Sequence, residues 1–345
     1  MLDSLTTQLK KSRDLSPDQI TEAIELLVSG DIAPAPKADF LTALAQKGET
    51  IEEIGTFAKI LRDKSVQPSL SPACRQREIL DVCGTGGDQQ NTFNISTTVA
   101  IVAAAAGVTV AKHGNRAITS KSGSADVLEA LGIRIHLTPE ECAASLEQNG
   151  FVFFFAPNYH PAFKHISSAR KLCAEQGQRT IFNFLGPLLN PARPTTQLIG
   201  VPDPALCKPI AKVLQSIGIR RGMVVSGDVG TGNLDELSTL GTNTIAEFYQ
   251  DRAFSVEELD PQSLPVQPAQ IEDLKGGDSK ANAQTIREIL NGTDKGPKRD
   301  AVLLNAGAAL FVAEKSPSLT EGWDLAARLI NDGAAMDKLT SLSNC

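Results

Sequence analysis

The stretch ILDVCGTGGDQQNTFNISTTVAIVAAAAGVTVAKHG, residues 79–114, decides the fold. ILDVCG (79–84) reads as a short apolar strand, residues 97–106 as a helix, and VTVAKHG (108–114) as a second strand. Between strand and helix lie Gly84, Gly86, Gly87 and Asp88, then Asn94-Ile95-Ser96-Thr97. Glycines this dense fit no regular element, because each loses much backbone freedom when ordered. They mark either a plain turn with a helix cap or a loop whose bare N–H groups approach a ligand.

The same alternation continues downstream. RIHL (134–137), FVFFFA (151–156), QLIGV (197–201) and GMVVSG (222–227) read as strands, and SADVLEALG (124–132) and PEECAASLEQNG (139–150) as helices. Alternating strands and helices predict a mostly parallel sheet covered on both faces. FVFFFA, apolar at every position, suits burial on both sides. Residues 260–300 are polar and rich in Gly and Pro, which predicts a surface excursion.

Upstream the texture is helical. Ser16 before Pro17 is a helix start, a second helix runs near 38–46 until Gly48, and Thr50 with Glu53 is a capping-box spacing that opens a third over 51–63. DKSVQPSLSPACRQRE (63–78) is a linker candidate. The expected fold is therefore α/β, a small helical N-terminal domain plus a large domain with a mostly parallel sheet.

Ligands of such sheets bind beyond the carboxyl ends of the strands, and chemistry-bearing residues gather there. Asn94, Ser96 and Thr97 can cap the helix whose N-terminus favours anions. KHGNRAITSKSGSADVLEALG (112–132) offers Lys112 and Arg116 as fixed cations that suit a phosphate, with Ser120, Ser122 and Ser124 as hydroxyls. Ser124 also reads as the N-cap of 125–131, His113 as a structural hydrogen-bonder, and Arg116 as an ion-pair residue. Asp235 and Glu236 follow the GMVVSG strand and a glycine loop. Adjacent carboxylates are often just solvated helix-start residues. Beside phosphates they are also hard oxygen ligands for Mg²⁺. Arg170 and Arg179 are candidate carboxylate clamps.

Bulk numbers narrow the classes. The chain has 345 residues and a formal net charge of -7, against a general nucleic-acid or anionic-membrane binder. Its six cysteines contain no C-x-x-C pair, so they read as free thiols in a reducing compartment. No apolar signal segment opens the chain. A cytoplasmic location is expected.

GTGGD, NIST, KHGNRA, SGSADVLEALG, RTIFN, NPA and LDE, in that order, resemble the anthranilate phosphoribosyltransferase family over nearly the whole chain. A weaker similarity is to pyrimidine nucleoside phosphorylases of the same fold. The resemblance implies a nucleoside phosphorylase/phosphoribosyltransferase-type architecture. A discontinuous helical domain (1–75, joined by helices from about 165–190) would close on an α/β domain (76–164 and 191–345). It implies a homodimer, and transfer of phosphoribose from 5-phosphoribosyl 1-diphosphate to the amine of anthranilate in tryptophan synthesis. Position by position, Gly84, Gly87, Asp88, Thr92, Asn94, Ile95, Ser96, Thr97, Lys112, Ser120 and Ser124 would hold the diphosphate donor. Gly84, Asn115, Arg170, His113 and His160 would meet anthranilate. Ser96, Asp235 and Glu236 would hold Mg²⁺, with a pair of ions expected. No side chain is implied as a catalytic base or nucleophile.

The departures from the family pattern touch the acceptor side more than the phosphate side. KLCAEQGQ separates Arg170 from Arg179, SAR stands for a PVR triplet, Ser226 for a common His, and Phe163 for a common Met. The alternatives are a paralogue using another aromatic amine, a nucleoside phosphorylase, or a non-catalytic nucleic-acid binder. The intact Asp235-Glu236 pair and the acidic charge speak against the last.

Overall fold

The computed structural model describes residues 2–117 and 121–344. The chain opens with four helices, α1 (Leu2–Leu9), α2 (Pro17–Val28), α3 (Pro34–Lys47) and α4 (Ile51–Asp63). The capping boxes at Ser16/Gln19 and Thr50/Glu53 are formed, and α3 ends at Gly48 with φ +84°. A short helix, α5 (Pro72–Arg75), interrupts the linker before β1 (Ile79–Gly84). Then follow α6 (Ile95–Ala105), β2 (Thr109–Gly114), α7 (Ser124–Ala130), α8 (Pro139–Asn149) and β3 (Phe151–Phe155).

After β3 the chain leaves the sheet through α9 (Ala156–Tyr159) and a 3₁₀ turn, Pro161–His165. It forms α10 (Ser167–Glu175) and α11 (Phe182–Leu185) against the N-terminal helices. A second 3₁₀ turn, Gly186–Leu189, brings it back to β4 (Thr196–Gly200). Next come α12 (Cys207–Ser216), β5 (Arg221–Asp228), β6 (Asn233–Leu234), β7 (Asn243–Tyr249) and β8 (Ala253–Leu259). The chain closes with α13 (Ser279–Leu290), α14 (Pro297–Val312), α15 (Leu319–Asn331) and α16 (Ala334–Ser343).

The sheet runs β3-β2-β1-β4-β5-β7-β8, with β6 paired to the end of β5. The five strands from β3 to β5 are parallel and the β7–β8 edge is antiparallel. The β3 run Phe151–Phe155 is buried at every position. One apolar core joins Leu80, Val82 and Val110 to α6 and α13–α16. A second joins Ile199 and Val224 to α12 and to the helical bundle, including Ile166, Ala169, Cys173 and Phe182. Bundle and sheet are thus linked by chain crossings at 64–78, 156–166 and 186–195.

Two expectations are corrected. RIHL (134–137) is not a strand: Ile133 and Ile135 are buried while Arg134 and His136 are exposed, but no neighbouring strand pairs with them among the described residues. The period-2 burial is real and the ladder is missing. Residues 260–300 are also more than a surface excursion, since α13 buries Ile286, Ile289 and Leu290 within a polar sequence.

Candidate active site

The glycine loop leaves β1 under tight steric control. A Cβ on Gly84 would lie 2.0 Å from Asp235 Oδ2, so only glycine fits there. Gly86 and Gly87 adopt φ +79° and +88°, and the Gly86 N–H donates to Asp235 Oδ2 at 2.7 Å. Asp88 Oδ1 accepts from the Gln90 N–H. Farther along, Thr92 bridges to Lys275, and the Phe93 N–H donates to Leu274 O. The loop is therefore clipped to residues 274–276 and is not a free flap.

At the N-terminus of α6, Asn94 makes no side-chain cap, contrary to expectation. Its Nδ2 donates to Ser122 O and its Oδ1 accepts from Asn282. The amide ties three segments together and leaves the helix end to other partners. Ile95 is buried in the core beneath that end. The Ser96 N–H donates to Glu236 Oε1 at 3.2 Å. Thr97 Oγ1 is buried with no hydrogen-bond partner among the described residues, a cost that ordinary packing does not offset.

Lys112 on β2 is fully buried. Its Nζ donates to Val82 O at 2.5 Å and to Ser96 Oγ at 3.3 Å. No carboxylate lies within ion-pair distance of it among the described residues. Ser124 is beside the end of β2, 3.3 Å from where a Gly114 Cβ would sit, and the N-cap of α7 is Gly123, not Ser124. Ser120 lies outside the described residues. Arg116 is corrected as a phosphate cation: it is paired to Asp126 at 2.9 Å and Glu129 at 2.6 Å. Asn115 is exposed and turns its Oδ1 back onto the Arg116 N–H.

Asp235 and Glu236 follow β6, where the β5–β6 hairpin delivers them over the ends of β1 and β4. Asn305 of α14 holds Leu237 by both its amide atoms, at 2.9 Å each. Burial first, then the neighbouring Asp88 for Asp235 and the charge of Asp235 for Glu236, pushes both carboxyls above the usual range. Such a cluster is short of positive charge.

Residues of the 156–190 excursion form an aromatic wall beside it. His113 Nδ1 lies 3.2 Å from Gly186 O, and its ring meets His160 edge-on at 5.3 Å. His160 stacks on Phe163 at 5.1 Å, Phe163 meets Phe182 at 5.6 Å, and the Arg170 guanidinium lies 5.5 Å from the Phe182 centroid. Burial lowers His113 to about 3 and His160 to about 4, so both rings are neutral at ordinary pH. Among the described residues no carboxylate pairs with Arg170, whose burial disfavours its charge. Arg179 is exposed and reaches Gly87 O at 3.5 Å, so it touches the glycine loop.

The structure thus unites Gly84, Ser96, Lys112, Asp235 and Glu236 in one cluster at the strand ends, with His113, His160 and Arg170 on the adjoining wall. Sequence reasoning missed the buried amides that brace this pocket: Asn190, Asn282 and Asn305. Asn190 Nδ2 bonds Asp81 and Ala111 O, behind His113. The one available signal is an Asn inside an apolar run, as in LLNAGAAL.

The donor set suits Mg²⁺. Asp235, Glu236 and the Ser96 hydroxyl are hard oxygens, and Mg²⁺ takes one or two carboxylates plus substrate phosphates and waters. Two crowded carboxylates pushed toward protonation are what a divalent cation relieves.

Family models match in two parts. A glycosyl transferase family helical bundle domain covers residues 3–65, and the a/b domain of that family covers 76–336. A curated anthranilate phosphoribosyltransferase of Petrotoga mobilis is 44% identical over 342 residues, spanning 99% of this chain and 96% of that protein. A crystal structure of anthranilate phosphoribosyltransferase from Thermus thermophilus superposes with TM-score 0.89 at 39% identity, covering 99% of this chain and 98% of that one. The Saccharomyces cerevisiae enzyme in complex with PRPP and Mg gives 0.86 at 29% identity, covering 99% and 97%.

Proposed function

Since the chain belongs to the anthranilate phosphoribosyltransferase family, we propose that its strand-end pocket binds the diphosphate donor and its aromatic wall the acceptor. The chain is a pentosyltransferase of tryptophan biosynthesis. It transfers phosphoribose from 5-phosphoribosyl 1-diphosphate to the amine of anthranilate and releases diphosphate. The observation that carries the assignment of sites is the convergence of three strand ends, those of β1, β2 and the β5–β6 hairpin, on one pocket.

The bond from ribose C1 to the diphosphate oxygen breaks, the bond from C1 to nitrogen forms, and the amine loses a proton. Charge develops on the departing diphosphate. The Lys112 ammonium and the amides of the glycine loop receive it, and one such preorganised donor is worth about 2.7–4 kcal/mol. Ser96, Asp235 and Glu236 would hold Mg²⁺, expected as a pair of ions, which would supply further positive charge to that leaving group. Gly87, Asp88, Thr92, Asn94, Thr97 and Ser124 complete the donor site.

The acceptor amine is neutral when it attacks, so its surroundings need shape more than charge. Neutral His113 and His160 provide an aromatic wall, with Asn115 at its rim. Arg170 binds the anthranilate carboxylate through two parallel bonds. Cys83, whose buried thiol is held protonated, packs beneath the loop and takes no part. The bundle (1–75 with 165–190) closes on the α/β body and keeps water from the ribosyl cation. We place the enzyme in the cytoplasm as a homodimer joined through the bundle, a reading supported by the family resemblance alone.

One assay tests the whole. Anthranilate fluorescence should fall when protein, 5-phosphoribosyl 1-diphosphate and Mg²⁺ are combined. Unchanged fluorescence with folded protein, while calorimetry still detects donor binding, would reassign the acceptor.

A further inference from the structure

Lys37 sits in the first turn of α3, and only 1% of its surface is exposed. A cation near a helix N-terminus faces unpaired N–H groups and is disfavoured there. Burial adds a second cost and lowers the affinity of the amine for its proton. No carboxylate lies within ion-pair distance of it among the described residues. Its Nζ instead donates to two backbone carbonyls, Ser29 O at 2.6 Å and His165 O at 2.9 Å. A methionine would fill the same space more cheaply, so the two hydrogen bonds are the feature to explain.

Their acceptors identify the purpose. Ser29 is the C-cap of α2, and His165 ends the 3₁₀ turn before α10. The Arg170 N–H donates to the carbonyl of Ile166, the N-cap of α10, so the 165–166 peptide that Lys37 holds leads directly into the first turn of the helix that carries Arg170. A Cβ at Gly30 would stand 3.3 Å from the His165 ring, so the turn is seated on the α2–α3 connection. The C-terminal turn of α10 is held separately, by Cys173 Sγ against Ala38 O and Thr42 Oγ1 of α3. The same 3₁₀ turn contains Phe163, which joins His160 to Phe182 and hence to the guanidinium.

We propose that Lys37 is a positioning residue for the acceptor site: its two bonds fix the root of α10 and so the placement of Arg170, without touching either substrate. The inference rests on the reading of Arg170 as the acceptor clamp. It assigns to the helical bundle a part in acceptor affinity that is separate from closure.

Steady-state kinetics on the full chain decide it. In K37M, which keeps length and removes the donors, the anthranilate KM should rise about tenfold, with donor KM and kcat within about twofold. K37Q, which retains N–H donors without charge, should recover part of the loss, and it serves as the test should K37M fail to fold. In an R170A background K37M should add no further rise. Equal changes in both KM values, full additivity with R170A, or an unchanged acceptor KM in both Lys37 variants would overturn the proposal. If R170A itself left the acceptor KM unchanged, the reading of Arg170 would fall instead.

Discussion

The strand-end pocket and the aromatic wall are neighbours built on opposite principles. The pocket is charged. It concentrates Lys112, Asp235 and Glu236 at the ends of parallel strands, with the Gly86 N–H already bonded to Asp235, and core residues such as Asn305 brace it from behind. The wall is nearly neutral. It consists of His113, His160, Phe163 and Phe182, with a single guanidinium at one end, and most of it rides on a chain excursion away from the sheet. A polyanion must find its compensating charge already in place, because reorganising dipoles during reaction is costly. A flat aromatic needs a fitted surface, which packed side chains provide through contact area.

The comparison breaks most visibly if the carboxylates are removed. D235N/E236Q should lose more than about 4 kcal/mol of transition-state stabilisation, beyond the upper end for one electrostatic contact. Mg²⁺ should raise the melting temperature of the parent in the presence of donor and leave that of the variant unmoved. A variant with ordinary turnover would leave the pocket without its metal. Next in size, Lys112→Met should lower kcat by about 10²–10³ while the acceptor KM stays put. A change confined to the acceptor KM would place Lys112 on the wrong side of the division. Arg170→Ala should do the reverse, raising the acceptor KM by about 10- to 100-fold, the equivalent of roughly 1.5–3 kcal/mol for a charged hydrogen bond.

The smallest effect sharpens the claim that the wall is neutral. His113 and His160 bind protons more weakly in the folded state than their ordinary value of 6.5. The unfolded chain therefore takes up more protons as pH drops. Stability is full above about pH 6.5 and declines toward the folded values of about 3 and about 4. At pH 5 each ring costs about 2 kcal/mol. H160Q should flatten that decline by the same amount, read from urea unfolding at pH 7 and pH 5. An unaltered slope would mean that the ring is not buried neutral.

How much of this was legible in the sequence follows the same division. The pocket could be read because its chemistry is local. Gly86 and Gly87 announce their backbone freedom, Asp235 and Glu236 are adjacent, and Lys112 lies near a strand end. The wall could be read only in pieces, since the contact of His113 with Gly186 and of Arg170 with Phe182 depends on how the excursion returns. Arg116 pairs with Asp126 and Glu129 of α7, as its ion-pair reading expected and against its reading as a phosphate cation, because tertiary placement and not spacing within 112–132 brings the acids to it. Asn94 was expected to cap α6 and instead ties Ser122 to Asn282. Amides of this kind have no periodicity and no fixed partner spacing, so tertiary placement alone assigns them.

The chain passes between bundle and sheet three times, at 64–78, 156–166 and 186–195. A single tether would let one body swivel about the other. Multiple tethers resist torsion, so the proposed closure is expected to be a door-like swing about one line. Spectroscopic labels on α2 and α15 should therefore report a single correlated distance change, and a chain cut within any one tether should loosen the motion without detaching the door.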